Sequence, residues 1–265
     1  MFSEKMEKRL NRILKAVSLE TPDRVPVALE YAGFAASATQ TPMFEFISSR
    51  AAATQTMIQA YELVGGGDAI NYGSFAPYDL CYLFGAKVKV PGFDLPDNDI
   101  WQVAEDELMT AGDYDRILEM GWPGFFREFL SKRIIDDADE KLLHPNSGPV
   151  DVVEEWRRIH VPVLSGGTIT SPFELLCGAR SLEMFFMDLM EMPDKVEQVL
   201  EEIAPHLSGI PCRQALKGGF PAIWIGGWRA APFLVSPDMW HRFVWPLFTP
   251  QVAAGLRSGW HPLRP

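Results

Sequence analysis

Apolar positions recur at intervals of three and four through Phe2, Met6, Leu10, Ile13, Leu14 and Val17, the spacing of one face of an α-helix. Thr21-Pro22-Asp23-Arg24 ends that helix, because proline lacks the N–H that the ladder needs. Val25 to Glu30 is short, apolar and partly β-branched, and predicts a buried strand. Tyr31 to Thr41 is rich in small residues and reads as a loop. Pro42 opens a long helix with Phe44, Ile47, Ala51, Met57, Ile58, Tyr61 and Leu63 as its apolar positions. Gly65-Gly66-Gly67 closes it as a C-cap, and Asp68 to Ser74 predicts a second strand.

The middle of the chain is less regular. Ala86 to Pro91 alternates as a half-exposed strand does, and Ile100 to Ala104 is its expected hairpin partner. Asp113 to Met120, Pro123 to Ile135 and Val150 to Arg158 read as helices, with an acidic run, residues 136–140, as a solvated helix end or loop. Val161 to Leu164 predicts a third buried strand. Ser171-Pro172 has helix-start chemistry, an N-cap serine with proline behind it, and the helix is expected to run to Met192. Another helix follows Pro193-Asp194, from Lys195 to about Leu207 or on to Lys217, where Gly218-Gly219 stop it. Pro221 to Ile225 predicts a fourth strand, and Ser236-Pro237-Asp238 opens a last helix that Pro246 kinks or splits.

Strands alternating with helices point to a parallel sheet, either a (β/α) barrel or an open doubly wound sheet. With 265 residues, 47% apolar and 22% charged, there is material for a large core. Acidic residues number 35 and basic residues 24, a net charge of −11. This lacks the basic footprint of a nucleic-acid binder and argues against anionic membrane surfaces. No stretch reaches the roughly 18 uninterrupted apolar residues of a membrane span. Cys81, Cys177 and Cys212 are widely spaced and odd in number, which fits a reduced, cytoplasmic setting.

Three segments resemble the uroporphyrinogen decarboxylase family, whose superfamily also holds cobalamin-dependent methyltransferases. The first is Arg12 to Ala16 with Pro22 to Val27. The second runs from Val161-Pro162-Val163-Leu164 through Ser171-Pro172-Phe173-Glu174 and Phe185 to Leu189 to Pro193-Asp194-Lys195-Val196. The third is Ser236 to Pro246. The resemblance implies a (β/α)₈ TIM-type barrel, of which this chain would hold the first four strands in one partial domain over 1–265. An insert would cover about 86–158, and the tail, about 258–265, is unlike a strand. A C-terminally truncated, inactive chain is the expectation.

Two departures bear on activity. The decarboxylases carry Met-Arg-Gln-Ala-Gly-Arg after the first strand, where this chain has Tyr31-Ala32-Gly33-Phe34-Ala35-Ala36. They carry an aspartate after the second strand, where Ser74 is the nearest equivalent. Porphyrinogen carboxylates need cationic partners. The resemblance therefore favours the methyltransferase branch, with methyl transfer to a thiol or corrinoid and a small-molecule or corrinoid-protein substrate. Zinc and a corrinoid are implied for full-length relatives, and no cofactor within this chain. The alternatives are a divergent tetrapyrrole decarboxylase and a non-catalytic half-barrel binding module, self-associating through its open edges.

In such barrels the site lies at the C-terminal ends of the strands. That selects Glu30 and Tyr31, Tyr72 and Ser74, Thr168 and Thr170, and Trp228 and Arg229 as substrate-binding candidates, with no catalytic residue assigned. Arg229 would clamp a carboxylate or phosphate with its planar fork, or serve an ion pair. Glu30 is a base or polar ligand group, or half of a salt bridge. Ser165-Gly166-Gly167-Thr168 admits an anion near the Ser171 helix or is a tight turn. His144, His160, His206, His241 and His261 lack metal-site spacing, so no metal site is expected.

Overall fold

The computed structural model describes residues 3–135 and 151–247. Helix α1, Glu4–Val17, starts at Ser3, whose side chain accepts from the Met6 N–H. Its Arg12 forks onto Asp23, with both bonds at 2.6 Å, and also pairs with Asp68. This network ties the helix to the two strands that follow. Strand β1 is only Ala28–Leu29, shorter than the apolar run. Pro26 has no N–H to pair, and the Val27 N–H donates to the Asp68 side chain at 2.9 Å.

Small residues 31–41 are not a loop: Gly33–Thr39 forms helix α2. Ala35 and Ala36 are fully buried there, so small side chains mark close packing. The long helix from Pro42 is two helices, α3 (Met43–Phe46) and α4 (Arg50–Val64). Ser49 starts the second by accepting from the Ala52 N–H, a local bond that competes with helix continuation. Gly65, at φ +66°, caps α4 as expected. Strand β2, Ala69–Ile70, lies parallel to β1 with Ala28 opposite Ala69 and Leu29 opposite Ile70.

After helix α5 (Asp79–Phe84) comes the expected hairpin, β3 (Val88–Lys89) antiparallel to β4 (Gln102–Val103). Helices α6 (Gly112–Met120) and α7 (Trp122–Phe129), a π-turn over Leu130–Ile134, and α8 (Val152–Arg158) complete the insert. The acidic run at 136–140 lies outside the described residues.

The third barrel strand corrects the sequence reading. Strand β5 is Ser165–Thr170, so Gly166-Gly167 lie within the strand, at a register irregularity between Ser165 and Thr168, and are not a turn. A Cβ on Gly166 would sit 2.4 Å from Phe220, and one on Gly167 2.9 Å from Pro211. The glycines let a helix cross the strand at close range. Val161 to Leu164 lead into it: Val163 bridges Ile70, the Leu164 N–H donates to the Ile70 carbonyl, and the Ser165 N–H to that of Asn71. Strand β6, Ala222–Gly226, runs parallel to β5. The spatial order is therefore β1-β2-β5-β6, parallel throughout and in chain order.

The helix from Ser171 is also two, α9 (Pro172–Arg180) and α10 (Leu182–Glu191), broken at Ser181 with φ +71°. Then come α11 (Pro193–Gly218) and α12 (Pro237–Phe243), the latter interrupted at Val244, two residues before Pro246. One core gathers α6, α7, α9, α10 and α11 around Phe125, Phe129, Phe173 and Phe185. The other sits under β2, with Phe46, Met57, Tyr61 and Trp156. Both are built on the helical layers, and β6 is half-exposed along its length.

Candidate active site at the strand ends

Two polar clusters stand at the C-terminal ends of the four parallel strands. The first spans β1 and β2. Glu30, one residue past β1, accepts from the Asn71 amide at 2.8 Å and the Tyr72 hydroxyl at 2.6 Å. Burial, with Glu30 beside it, holds the Tyr72 hydroxyl protonated well above the ordinary tyrosine range. Tyr31 turns away, its hydroxyl donating to the Met57 carbonyl at 2.8 Å, and Ser74 donates to the Arg50 carbonyl at 3.1 Å. Sequence reasoning placed all four residues near one mouth; the structure brings Glu30 and Tyr72 into contact and spends the hydroxyls of the other two on backbone.

The second cluster spans β5 and β6. Glu174, in the first turn of α9, is fully buried. Its Oε1 accepts from the backbone N–H groups of Arg229 at 2.5 Å and Ala230 at 2.7 Å. Its buried Oε2 has no hydrogen-bond partner among the described residues, and the Arg229 guanidinium stands 3.9 Å away. Burial raises the Glu174 carboxyl above its ordinary range and outweighs the two N–H groups and the arginine charge. Gly227 makes this approach possible, since a Cβ there would lie 2.6 Å from Oε1.

Arg229 is 13% exposed, paired with Glu105 and stacked 5.5 Å over the Phe84 ring. Trp228 packs on Phe84 at 4.8 Å and on Trp224 at 5.7 Å. Glu105 also borders a groove of about 550 Å³, lined by Leu182, Phe186, Phe233 and Leu234 with Ser181 and Glu183. Thr168 lies inside β5 opposite Trp224 rather than past its end. Thr170 donates to the Leu83 carbonyl.

Sequence reasoning missed Glu174 as a site residue. Its signal was Ser171-x-x-Glu174, the capping-box pattern, in which the glutamate would reach back to the N-cap. Ser171 does cap, accepting from the Glu174 N–H, but the carboxylate goes to the β6 loop instead. Glu105 carried no signal, because only folding brings the insert against Arg229.

No family model and no curated protein sequence matches the chain. A solved structure, a methyltransferase from Methanosarcina mazei, is similar over 92% of this chain, with a TM-score of 0.61 and 18% sequence identity. At that identity the likeness shows a shared α/β fold. The chain spans 66% of that structure's chain. Among the described residues no helix is long and apolar enough to cross a membrane.

Proposed function

We propose that the chain is a methyltransferase-type protein of the uroporphyrinogen decarboxylase superfamily, one partial barrel domain with an insert over about 86–158. It binds a small-molecule or corrinoid-linked substrate at the strand ends. The observation that supports this most is the second cluster: a largely buried cation, Arg229, whose acidic partner Glu105 is half-exposed and can be displaced. A ligand carboxylate or phosphate would take the place of Glu105 on the guanidinium fork. Phe84 and Trp228 would offer it an apolar wall. Glu30 and Tyr72 would hold the polar edge of the ligand on the first cluster. Glu174, its carboxyl raised by burial above the ordinary glutamate range, would stand beside that mouth.

A decarboxylase of porphyrinogens fits less well. Among the described residues the mouth has a cation at β6 and none after β1, where helix α2 carries only small residues and Phe34.

Zinc would supply a Lewis acid that lowers a thiol pKa. Among the described residues no three His, Cys, Asp or Glu side chains converge as such a site requires. Burial also raises the thiols of Cys177 and Cys212, against the thiolate that the metal needs. These described residues do not fit zinc.

The test is a titration of methylcobalamin and of a polycarboxylate porphyrin, read by tryptophan fluorescence. Binding of the corrinoid, weakened severalfold in Arg229→Lys, is expected. Tight binding of the porphyrin alone would overturn the reading in favour of decarboxylation.

A further inference from the structure

The Glu105 carboxylate is shared between a cation and a helix start. Its Oε1 pairs with the Arg229 guanidinium, and its Oε2 accepts from the Leu182 N–H at 3.3 Å. Leu182 is the first residue of α10, where N–H groups have no partner within the helix and the helix dipole favours negative charge. Glu105 therefore occupies a place that suits any carboxylate, with one oxygen on a guanidinium and the other on a helix N–H. Its side chain is half-exposed, whereas that of Arg229 is largely buried. The cation is the fixed half of the pair and the anion the exchangeable one.

What adjoins that place is apolar. Glu105 borders the groove of about 550 Å³, a size within the range of small-molecule sites. One wall is α10, on which Leu182 and Phe186 lie four apart and share a face; both line the groove. Ser181 breaks the chain ahead of this wall with φ +71° and ψ 157°, a backbone conformation that belongs almost to glycine alone. The other wall is Phe233 and Leu234, from the loop that carries Arg229. Glu174 anchors that loop through the N–H groups of Arg229 and Ala230, so the cation and the wall belong to one held segment. Phe233 is 82% exposed, a large apolar side chain presented to solvent beside the groove. Glu183 adds an exposed carboxylate, and among the described residues no lysine or arginine lines the groove.

We propose that this groove is a tail site for a carboxylate that carries an apolar chain. The ligand carboxylate replaces that of Glu105, taking the Arg229 guanidinium and the Leu182 N–H. Its chain lies between Leu182 and Phe186 on one side and Phe233 and Leu234 on the other. Burial of that chain supplies affinity roughly in proportion to the apolar area covered, which a half-exposed ion contact alone does not. Glu183 repels a second anionic group carried into the groove, so the ligand is charged at one end only. The inference rests on the anion site proposed above and adds the class of ligand that it takes.

The experiment is isothermal titration of the full 265-residue chain with inorganic phosphate, acetate, butanoate, hexanoate and octanoate. Affinity should rise along the carboxylate series by about two- to fourfold per methylene, as for partly to fully buried groups. Phe233→Ser changes an exposed position, so the chain should keep its circular dichroism spectrum, and the gain per methylene should shrink. Octanedioate and octanol should each bind more weakly than octanoate, one for its second charge and the other for its missing head group. Binding of phosphate or acetate with no gain along the series would overturn the tail site and leave the anion site standing. Binding of neither phosphate nor any carboxylate would overturn both. A gain per methylene unchanged in Phe233→Ser, or octanedioate bound as tightly as octanoate, would overturn the groove as the place of the chain.

Discussion

Glu174 and Arg229 are joined twice: the carboxylate accepts the Arg229 backbone N–H at 2.5 Å, and its second oxygen lies 3.9 Å from the Arg229 guanidinium. A residue at the start of α9 thus positions the loop after β6. The same contact sets the orientation of the cation and leaves Oε2 buried without a hydrogen-bond partner among the described residues.

The pH dependence of stability follows from that oxygen. Burial raises the Glu174 carboxyl in the folded chain above its unfolded value. The native state then holds the proton more tightly, so this contribution is fully present below the unfolded glutamate pKa of about 4.3. It is lost as pH rises through the higher folded value. Thermal melts of the wild type and Glu174→Gln across a pH series should show the wild type losing ground to the variant as pH rises. A constant difference would show that the carboxyl ionises as freely as in the unfolded chain.

Glu105 guards Arg229. Glu105→Gln removes the charge but keeps the shape, so inorganic phosphate or acetate should bind severalfold more tightly than to the wild type. Isothermal titration reads it directly. An unchanged affinity would mean that the Arg229 fork is not the anion site.

Arg180 is almost fully buried and bonds Asp188 at 2.7 Å and the Met109 carbonyl at 2.6 Å, while the Tyr114 hydroxyl donates to the same Asp188. Removing the arginine leaves a carboxylate in the core. Arg180→Ala should therefore lower stability by roughly 3–5 kcal/mol, the range for breaking a buried pair. Urea unfolding measures it, and a loss under about 1 kcal/mol would be inconsistent with a desolvated pair.

Gly178 sits where α9 meets the end of α5. A Cβ there would fall 2.0 Å from the Phe84 carbonyl oxygen, and backbone cannot step aside as a side chain does. Gly178→Ala should cost about 1–3 kcal/mol through displaced packing, and should also disturb Arg229, which stacks on Phe84. A variant with the wild-type melting temperature would contradict the close approach.

The periodicity of three and four at Phe2 to Val17, the alternation at Ala86 to Pro91 and the serine caps at Ser171 and Ser236 are local signals, and each predicted its element correctly. The ordering of strands and helices likewise pointed to parallel strands in sequence, because βα alternation leaves few topologies. Tertiary packing decided the rest. Small residues read as loop at Tyr31–Thr41 and as a turn at Gly166-Gly167, yet they form α2 and the middle of β5. A missing side chain signals close approach as readily as a bend, and only the partner, here Phe220 or Pro211, tells which. The residues Glu30, Tyr72 and Arg229 were placed at the strand ends from the sequence. Their partners Glu105 and Glu174 were not, because Arg229 lies 124 positions from one and 55 from the other, and no local pattern encodes a contact that only the closing of the sheet creates.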